Sequence, residues 1–238
     1  MVTPKTLREL LEGLPDCRVL GDARAPVPGV AYHSRDVVPG GLFVALKGHR
    51  TDGHLYLADS LARGAKVVVT EQELPPPEGV TVVRVPEARL ALAHISAAFY
   101  DHPSRELTLV GITGTNGKTS TTYLLEAILG AAGCRVGVLG TVNYRLGESS
   151  WPAPVTTPES LDLQRLLREM RTRGASHAFL EVSSHALDLR RVDRNAFAAG
   201  VFTNLSQDHL DYHRDLDEYF AAKSRLFHEI LANGHGSR

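Results

Sequence analysis

The chain has 238 residues, 43% of them hydrophobic, and sets 26 Lys and Arg against 27 Asp and Glu. That is apolar material for one large or two modest domains, and a balance so near neutral excludes a global electrostatic drive toward nucleic acid or an anionic membrane. The N-terminal Met1-Val-Thr-Pro-Lys5 has no apolar leader, and no stretch approaches the ~18 apolar residues of a membrane span, so a cytoplasmic protein without membrane insertion is predicted. Cys17 and Cys134 stand outside any metal-ligand spacing and fit a reducing compartment.

In chain order, a first helix is predicted over residues 3–14, with Thr3 as cap, Pro4 in the first turn and Leu7, Leu10, Leu11 and Leu14 as its apolar stripe. A short buried strand follows at 42–46, after the turn Pro39-Gly40-Gly41. A helix over 55–63 stops at Gly64, and strands at 66–70 and 80–85 flank the loop Pro75-Pro76-Pro77. Pro86 and a helix over 88–100 are read as opening a second unit, giving domains 1–86 and 87–238. Strand 107–112, a glycine-rich turn, helix 118–132 and strand 135–139 come next. After a long loop, a helix over 158–173 capped by Thr157, strands at 178–182 and 198–203, and a helix over 217–231 complete the chain. This alternation predicts an α/β fold: a small N-terminal α/β domain and a central domain built on a mostly parallel, doubly wound sheet.

The clearest chemical signal is Gly111-Ile-Thr-Gly-Thr-Asn-Gly-Lys-Thr-Ser120, placed between an apolar strand and a helix. Gly114 and Gly117 free the backbone N–H groups to converge on phosphate oxygens, and the helix start adds unpaired donors and the positive end of its dipole. Lys118 has the reach for β- and γ-phosphates, and the Thr119 hydroxyl suits Mg²⁺. Residues 114–120, including Thr115, Asn116 and Ser120, form the candidate ATP loop. The general pattern G-x-x-x-x-G-K-[ST] would place its first glycine where Ile112 stands, which marks a divergent class of P-loop.

Other residues keep two readings on chemistry alone. Glu181 ends an apolar strand beside the loop, at the strand edge where ligands of parallel sheets bind, and reads as a magnesium ligand or as a solvated strand-end acid. His209, in Asp208-His-Leu-Asp211, reads as a structural histidine or as a metal ligand. Lys223, in Ala221-Ala-Lys-Ser224, reads as a solvent-facing helix lysine.

The loop "GITGTNGKTS" resembles that of the Mur ligase family, which shares its superfamily with the folylpolyglutamate synthetases. Three further segments, "TTPESLDLQ", "LEVSSHALDLRRV" and "FTNLSQDHLDYH" with "AAK" ending at Lys223, resemble one branch, the MurE type, which adds the third residue to UDP-N-acetylmuramoyl-L-alanyl-D-glutamate. "YHSRDVVPGGLFVALKGHRTDGH" resembles that branch's uridine-nucleotide domain, which the folylpolyglutamate branch lacks. The likeness runs in order from Tyr32 to Lys223.

The resemblance implies an ATP-dependent amide ligase of peptidoglycan precursor synthesis. Its catalytic residues would be Lys118 and a carbamylated Lys223, and Thr119, Glu181, His209 and Lys223 would hold Mg²⁺. Thr156, Thr157, Ser183 and Arg191 would hold the sugar-dipeptide, while Tyr32, Ser34, His49, Arg50 and Thr51 would surround the uridine diphosphate. Leu189 and Val155 stand where the branch often has Gln and Asn, so contacts to substrate differ there. Diaminopimelate, lysine and ornithine all stay open as the added diamino acid. Family members continue through further strands and a third, amino-acid-binding domain, so the resemblance makes these 238 residues the front of a monomeric enzyme, inactive in ligation alone. The alternative from another class is a non-catalytic nucleotide-binding remnant.

Overall fold

In the computed structural model, which describes residues 5–48, 51–208 and 212–232, the chain divides into two units, Met1–Asp101 and His102–Arg238. The first unit runs β1 (Lys5–Thr6), α1 (Leu7–Leu11), β2 (Arg18–Leu20), β3 (Pro26–Val27), β4 (Val30–Ala31), β5 (Leu42–Val44), α2 (Leu57–Ala62), β6 (Val67–Thr70), β7 (Thr81–Arg84) and α3 (Ala88–Phe99). Its main sheet has the order β2-β7-β6-β5-β4, parallel throughout except for β2 at the edge. Val67, Val68, Val69 and Thr70 of β6 are all buried, as expected of a parallel strand covered on both faces.

Two expectations shift here. The first helix starts at Leu7, because Thr6 and Glu9 form a capping box: the Thr6 hydroxyl accepts from Glu9 N, and the Glu9 carboxylate accepts from Thr6 N at 2.7 Å. Lys5 and Thr6 are meanwhile paired with Val27 and Pro26; Thr3 and Pro4 lie outside the described residues. The apolar stripe holds, since Leu7, Leu10, Leu11 and Leu14 are all buried. The domain boundary falls after Asp101, not after residue 86. Helix α3 is buried on nearly every side and packs on α1, with the His94 imidazole 2.9 Å from the Glu12 carbonyl. Its alanines allow that close approach. The turn out of α3 is made by Asp101 and His102, both with left-handed φ, at 58° and 50°.

The second unit runs β8 (Thr108–Thr113), α4 (Lys118–Ala131), β9 (Val136–Leu139), β10 (Asn143–Leu146), β11 (Ser149–Pro152), α5 (Ser160–Thr172), β12 (His177–Glu181), α6 (Ser184–Asp188), β13 (Phe197–Phe202) and α7 (Leu216–Arg225), which continues as a π-helical segment, Leu226–Leu231. The sheet order is β11-β10-β9-β12-β8-β13. β9, β12, β8 and β13 are parallel, and the hairpin β10–β11 adds an antiparallel edge.

Side chains alternate across this sheet with the period of two that strands impose. Val110, Ile112, Val136, Val138 and Phe179 face Leu125 and Leu129 of α4. Leu109, Leu139 and Leu180 face the other way, onto Leu163, Leu167 and Met170 of α5 and Leu226 and Ile230 of the last helix. Helices thus cover both faces, which is the doubly wound arrangement the alternation predicts.

The hairpin occupies what reads in sequence as a loop. Its Arg145 is 8% exposed, paired with Glu126 at 2.7 Å and stacked 3.9 Å from the Tyr123 ring centre. Helix α5 starts at Ser160 with Glu159 as its cap, so Thr157 is not the helix cap.

Candidate functional site

The nucleotide loop grows from the middle of the sheet. β8 is hydrogen-bonded on both sides, by β12 and β13, and ends at Thr113. Gly114 (φ 136°) and Gly117 (φ 84°) then take left-handed conformations that turn the chain into α4. A Cβ on Gly114 would fall on the Thr203 hydroxyl and within 3.0 Å of Asn204 N. That segment clasps the loop: the Thr203 hydroxyl donates to Asn116 O at 2.6 Å, Asn204 Oδ1 accepts from Asn116 N at 3.0 Å, and Asn204 O accepts from Thr115 N at 2.9 Å. Neither Thr203 nor Asn204 stands out as a site residue in the sequence. Their signal was the quoted segment "FTNLSQDHLDYH", and their partners lie far upstream. Ser120 is exposed on the first turn of α4.

Two lysines converge on the loop. Lys118 Nζ donates to Gly114 O and to Thr115 O, each at 2.8 Å. Lys223 Nζ donates to the same Gly114 O at 2.9 Å and lies 4.4 Å from the Tyr219 ring centre. Lys223 is 1% exposed, which removes the solvent-facing reading. Burial, and then the charge of Lys118, push its amine down to about 7. Burial also lowers Lys118, against the opposing pull of Glu181 and Asp208.

Glu181, at the end of β12, is likewise 1% exposed, so the solvated strand-end reading falls. Its Oε2 accepts from Thr119 Oγ1 at 3.0 Å and from Thr141 Oγ1 at 2.9 Å. A hydroxyl and a carboxylate that meet in this way are hard oxygen donors suited to Mg²⁺, an ion that keeps several waters and needs few protein ligands. The described residues contain no group of three or more His, Cys, Asp or Glu able to hold a metal among themselves. His209 lies outside the described residues.

The residues expected to hold the sugar-dipeptide gather at the same strand end. Thr157 is buried: its hydroxyl donates to Glu181 O at 2.8 Å and accepts from Ser183 N at 3.1 Å. Ser183 caps α6 by accepting from Ala186 N at 3.1 Å. Arg191 Nη1 donates to Thr157 O at 3.3 Å, and its Nε stands 3.4 Å from Glu159 Oε2. Thr156 and Thr141 share a hydroxyl contact of 3.1 Å. Thr156, Thr157, Ser183 and Arg191 therefore form one cluster, joined to Glu181 through Thr157 and Thr141. Thr141, absent from the sequence-predicted set, follows β9 with no motif to mark it.

In the first unit, Ser34 and Thr51 both border α2. Ser34 hydrogen-bonds the Asp59 carboxylate and holds it below the usual range, and the Thr51 hydroxyl donates to Tyr56 Oη at 3.2 Å. Tyr32 sets its ring 4.4 Å from that of His33. His49 and Arg50 lie outside the described residues. Just beyond them, Asp52 Oδ1 is 2.5 Å from His54 Nδ1, and His54 Nε2 is 2.8 Å from Thr70 Oγ1, tying this turn to β6.

With this geometry in hand, comparison with known proteins is specific. Residues 112–236 match the Mur ligase middle domain, and residues 26–100 match the model described as Mur ligase family, catalytic domain. The latter match covers the Ser34–Gly53 segment that argues against the folylpolyglutamate branch. A protein of Geobacter metallireducens named UDP-N-acetylmuramoyl-L-alanyl-D-glutamate--2,6-diaminopimelate ligase is 54% identical over 89% of this chain and 42% of its own length. One of the same name from Geobacter sulfurreducens is 50% identical over 95% and 44%. A UDP-N-acetylmuramyl-tripeptide synthetase of Roseiflexus is 45% identical over 95% and 45%. A solved structure of a UDP-N-acetylmuramoyl-L-alanyl-D-glutamate--2,6-diaminopimelate ligase superposes with a TM-score of 0.78 at 29% identity, over 95% of this chain and 45% of that one. The chain thus spans a little under half the length of the relatives it matches. Matched over more than half of its residues by the middle-domain model, with the P-loop and strand-end carboxylate built as described, the chain belongs to the Mur ligase family.

Proposed function

We propose that this chain carries the nucleotide and acyl-substrate sites of an ATP-dependent ligase that extends UDP-N-acetylmuramoyl-L-Ala-D-Glu by one diamino acid. The observation that carries this reading is the convergence of Lys118 and Lys223 on one loop carbonyl, Gly114 O. The Lys118 cation on a glycine loop at a helix start, with the Lys223 amine beside it as a site for a metal-holding carbamate, makes a site for a polyanion and its divalent cation.

In the reaction, an oxygen of the D-Glu side-chain carboxylate attacks the γ-phosphorus of ATP. The bond to ADP breaks and an acyl phosphate forms. The amine then attacks the acyl carbon, loses a proton, and expels inorganic phosphate. Both reactants of the first step are anions, so the work of the protein is positioning and charge neutralisation. Lys118 and the N–H groups where the loop enters α4, beyond the two held by Asn204, bind the phosphates. Thr119 and Glu181 would hold Mg²⁺, which when bound supplies further neutralisation of phosphate charge. Arg191 takes a substrate carboxylate or pyrophosphate oxygen, and Thr156, Thr157 and Ser183 orient the dipeptide. His49, Arg50, Ser34 and Thr51 hold the uridine diphosphate.

Lys223 is the carbamylated residue in this reading. An amine lowered to about 7 is partly unprotonated at pH 7, and its neutral form is a nucleophile for CO₂: nitrogen bonds to carbon, one C–O π bond opens onto oxygen, a proton leaves nitrogen, and the neutral amine becomes an anionic carbamate able to hold metal. The carbamate keeps one N–H for Gly114 O. The incoming amine is assigned as diaminopimelate, after the names of the relatives. The enzyme is placed in the cytoplasm, where its nucleotide substrates are; no helix among the described residues is long and apolar enough to cross a membrane.

Calorimetry with Mg-ATP and with UDP-N-acetylmuramoyl-L-Ala-D-Glu tests the reading. Both ligands are expected to bind, and Lys118→Ala should weaken nucleotide affinity at least tenfold at unchanged thermal stability. Equal Mg-ATP affinity in the two proteins would overturn the loop assignment.

A further inference from the structure

Thr119, Glu181, Thr141 and Thr156 form an unbroken line of hydrogen bonds from the nucleotide loop to the substrate cluster. Thr119 Oγ1 and Thr141 Oγ1 both meet Glu181 Oε2, at 3.0 and 2.9 Å, and Thr141 Oγ1 meets Thr156 Oγ1 at 3.1 Å. The direction of each bond follows from proton counting. An ionised carboxylate only accepts, and a hydroxyl has a single proton. Thr141 gives that proton to Glu181, so between the two threonines Thr156 is the donor. The Thr156 proton is therefore committed to Thr141 while Glu181 holds its full charge.

The carboxylate cannot easily move out of this arrangement. Glu181 is buried and packs against Gly140, where a Cβ would sit 2.8 Å from the carboxyl carbon. Thr141, by contrast, is exposed and Thr156 half-exposed, so the substrate end of the line is open to a ligand.

A divalent cation on Thr119 and Glu181 would draw charge from the carboxylate and weaken its hold on the Thr141 proton. Thr141 is then able to turn and donate to Thr156. Thr156, now an acceptor from Thr141, is released to donate its own proton to an anionic substrate oxygen. The same line runs in reverse, because linkage is reciprocal.

We propose that Thr141 is a positioning residue that couples cation binding at Glu181 to capture of the acyl substrate at Thr156, so that the two bind with positive cooperativity. The inference rests on the functional reading above and goes beyond it, since Thr141 need touch neither phosphate nor metal.

The test is calorimetric titration of UDP-N-acetylmuramoyl-L-Ala-D-Glu, without ATP, into wild type, Thr141→Val and Thr141→Ser, each in Mg²⁺ and in chelator at matched ionic strength. Direct pairing of Mg²⁺ with the substrate diphosphate is common to all three proteins and cancels between them. Wild type should bind about tenfold more tightly with Mg²⁺ than without, within the usual range of such couplings. Thr141→Ser keeps the hydroxyl and should keep the response. Thr141→Val, nearly equal in size, should show a residual response of about twofold or less at an unchanged melting midpoint. An undiminished response in Thr141→Val, or a loss as complete in Thr141→Ser, would overturn the coupling. Failure of wild type to bind the dipeptide in either buffer would instead remove the functional reading, and the coupling with it.

Discussion

Lys118 and Lys223 donate to the same acceptor, the Gly114 carbonyl, at 2.8 and 2.9 Å. One carbonyl cannot fully compensate two ammonium groups, and Lys223 is the more deeply enclosed of the pair. Its amine sits at about 7 instead of the usual 10.5 for lysine. Because the folded value is depressed, the unfolded chain binds more protons between the two values. Stability contributed by this site therefore rises with pH from about 7 toward 10.5, and the full burden of a buried cation is felt below about 7.

Replacing the cation should relieve that burden. In CO₂-free buffer, Lys223→Met is expected to raise the unfolding free energy by on the order of 2–5 kcal/mol at pH 6, with the gain fading toward pH 10. Gly114 O keeps its bond from Lys118 in the variant. Denaturant titrations across that range check it, and a pH-independent difference would contradict the burial argument. Adding ¹³C-bicarbonate at pH 8 should give wild type a carbamate resonance that the variant lacks.

Gly114 is fixed by both conformation and space. With φ at 136° and the Thr203 hydroxyl and Asn204 backbone where a Cβ would go, Gly114→Ala should cost about 2–4 kcal/mol and displace the clasp. Nucleotide affinity is expected to fall about a hundredfold, the arithmetic equivalent of roughly 3 kcal/mol. Calorimetry and a melting curve on the same sample check both numbers.

Gly140 makes an equivalent prediction at the metal end. Alanine there would press its Cβ into the Glu181 carboxylate. The carboxylate must swing away from Thr119 and Thr141, so Gly140→Ala should weaken Mn²⁺ binding, followed by electron paramagnetic resonance, about tenfold or more. Melting should change less than in Gly114→Ala, because nothing in the backbone clashes at this position. Normal Mn²⁺ affinity would show that Gly140 is not what confines Glu181.

In the first unit, His54 joins Asp52 to Thr70, and its hydrogen bonds hold the Asp52 carboxylate below its ordinary range. His54→Ala leaves the buried Thr70 hydroxyl without this partner and should cost about 1–3 kcal/mol. Amide exchange should quicken at Gly48 and Gly53, whose N–H groups close this turn on Thr51 O and Leu46 O. Protection factors equal to wild type at those two amides would contradict the anchoring role.

The features legible in the sequence were those whose cause is local. The glycine loop, the helix it opens, and the emergence of Glu181 at a strand end all follow from residues within a few positions of one another. Where a distant partner decides, the sequence was silent or misleading. Arg145 hides strand β10, since a charge at an inward position is tolerated only because Glu126 meets it. Thr157 has a cap's composition, yet its hydroxyl is taken by Glu181 O and Ser183 N. Helix α3 follows a proline and so looks like the start of something new, while its small, uniformly buried side chains commit it to α1. Lys223 has the composition of a solvated helix residue, and only the approach of Gly114 O explains its burial.

The clasp on the nucleotide loop also bears on how the protein comes to exist. Asn116 is held by Thr203 and Asn204, which follow it by 87 and 88 residues, and β8 gains its second neighbour only when β13 pairs with it. Contacts this remote in sequence carry a loop-closure cost and form slowly. On a ribosome delivering the chain from its N-terminus, Met1–Asp101 has all of its own strands long before β13 emerges. The glycine turn must wait, unshaped and exposed, until residue 204 has left the exit tunnel. Nucleotide affinity during synthesis should accordingly appear as a late, single step, and the segment from β8 to β13 is the stretch for which a holding chaperone has most to protect.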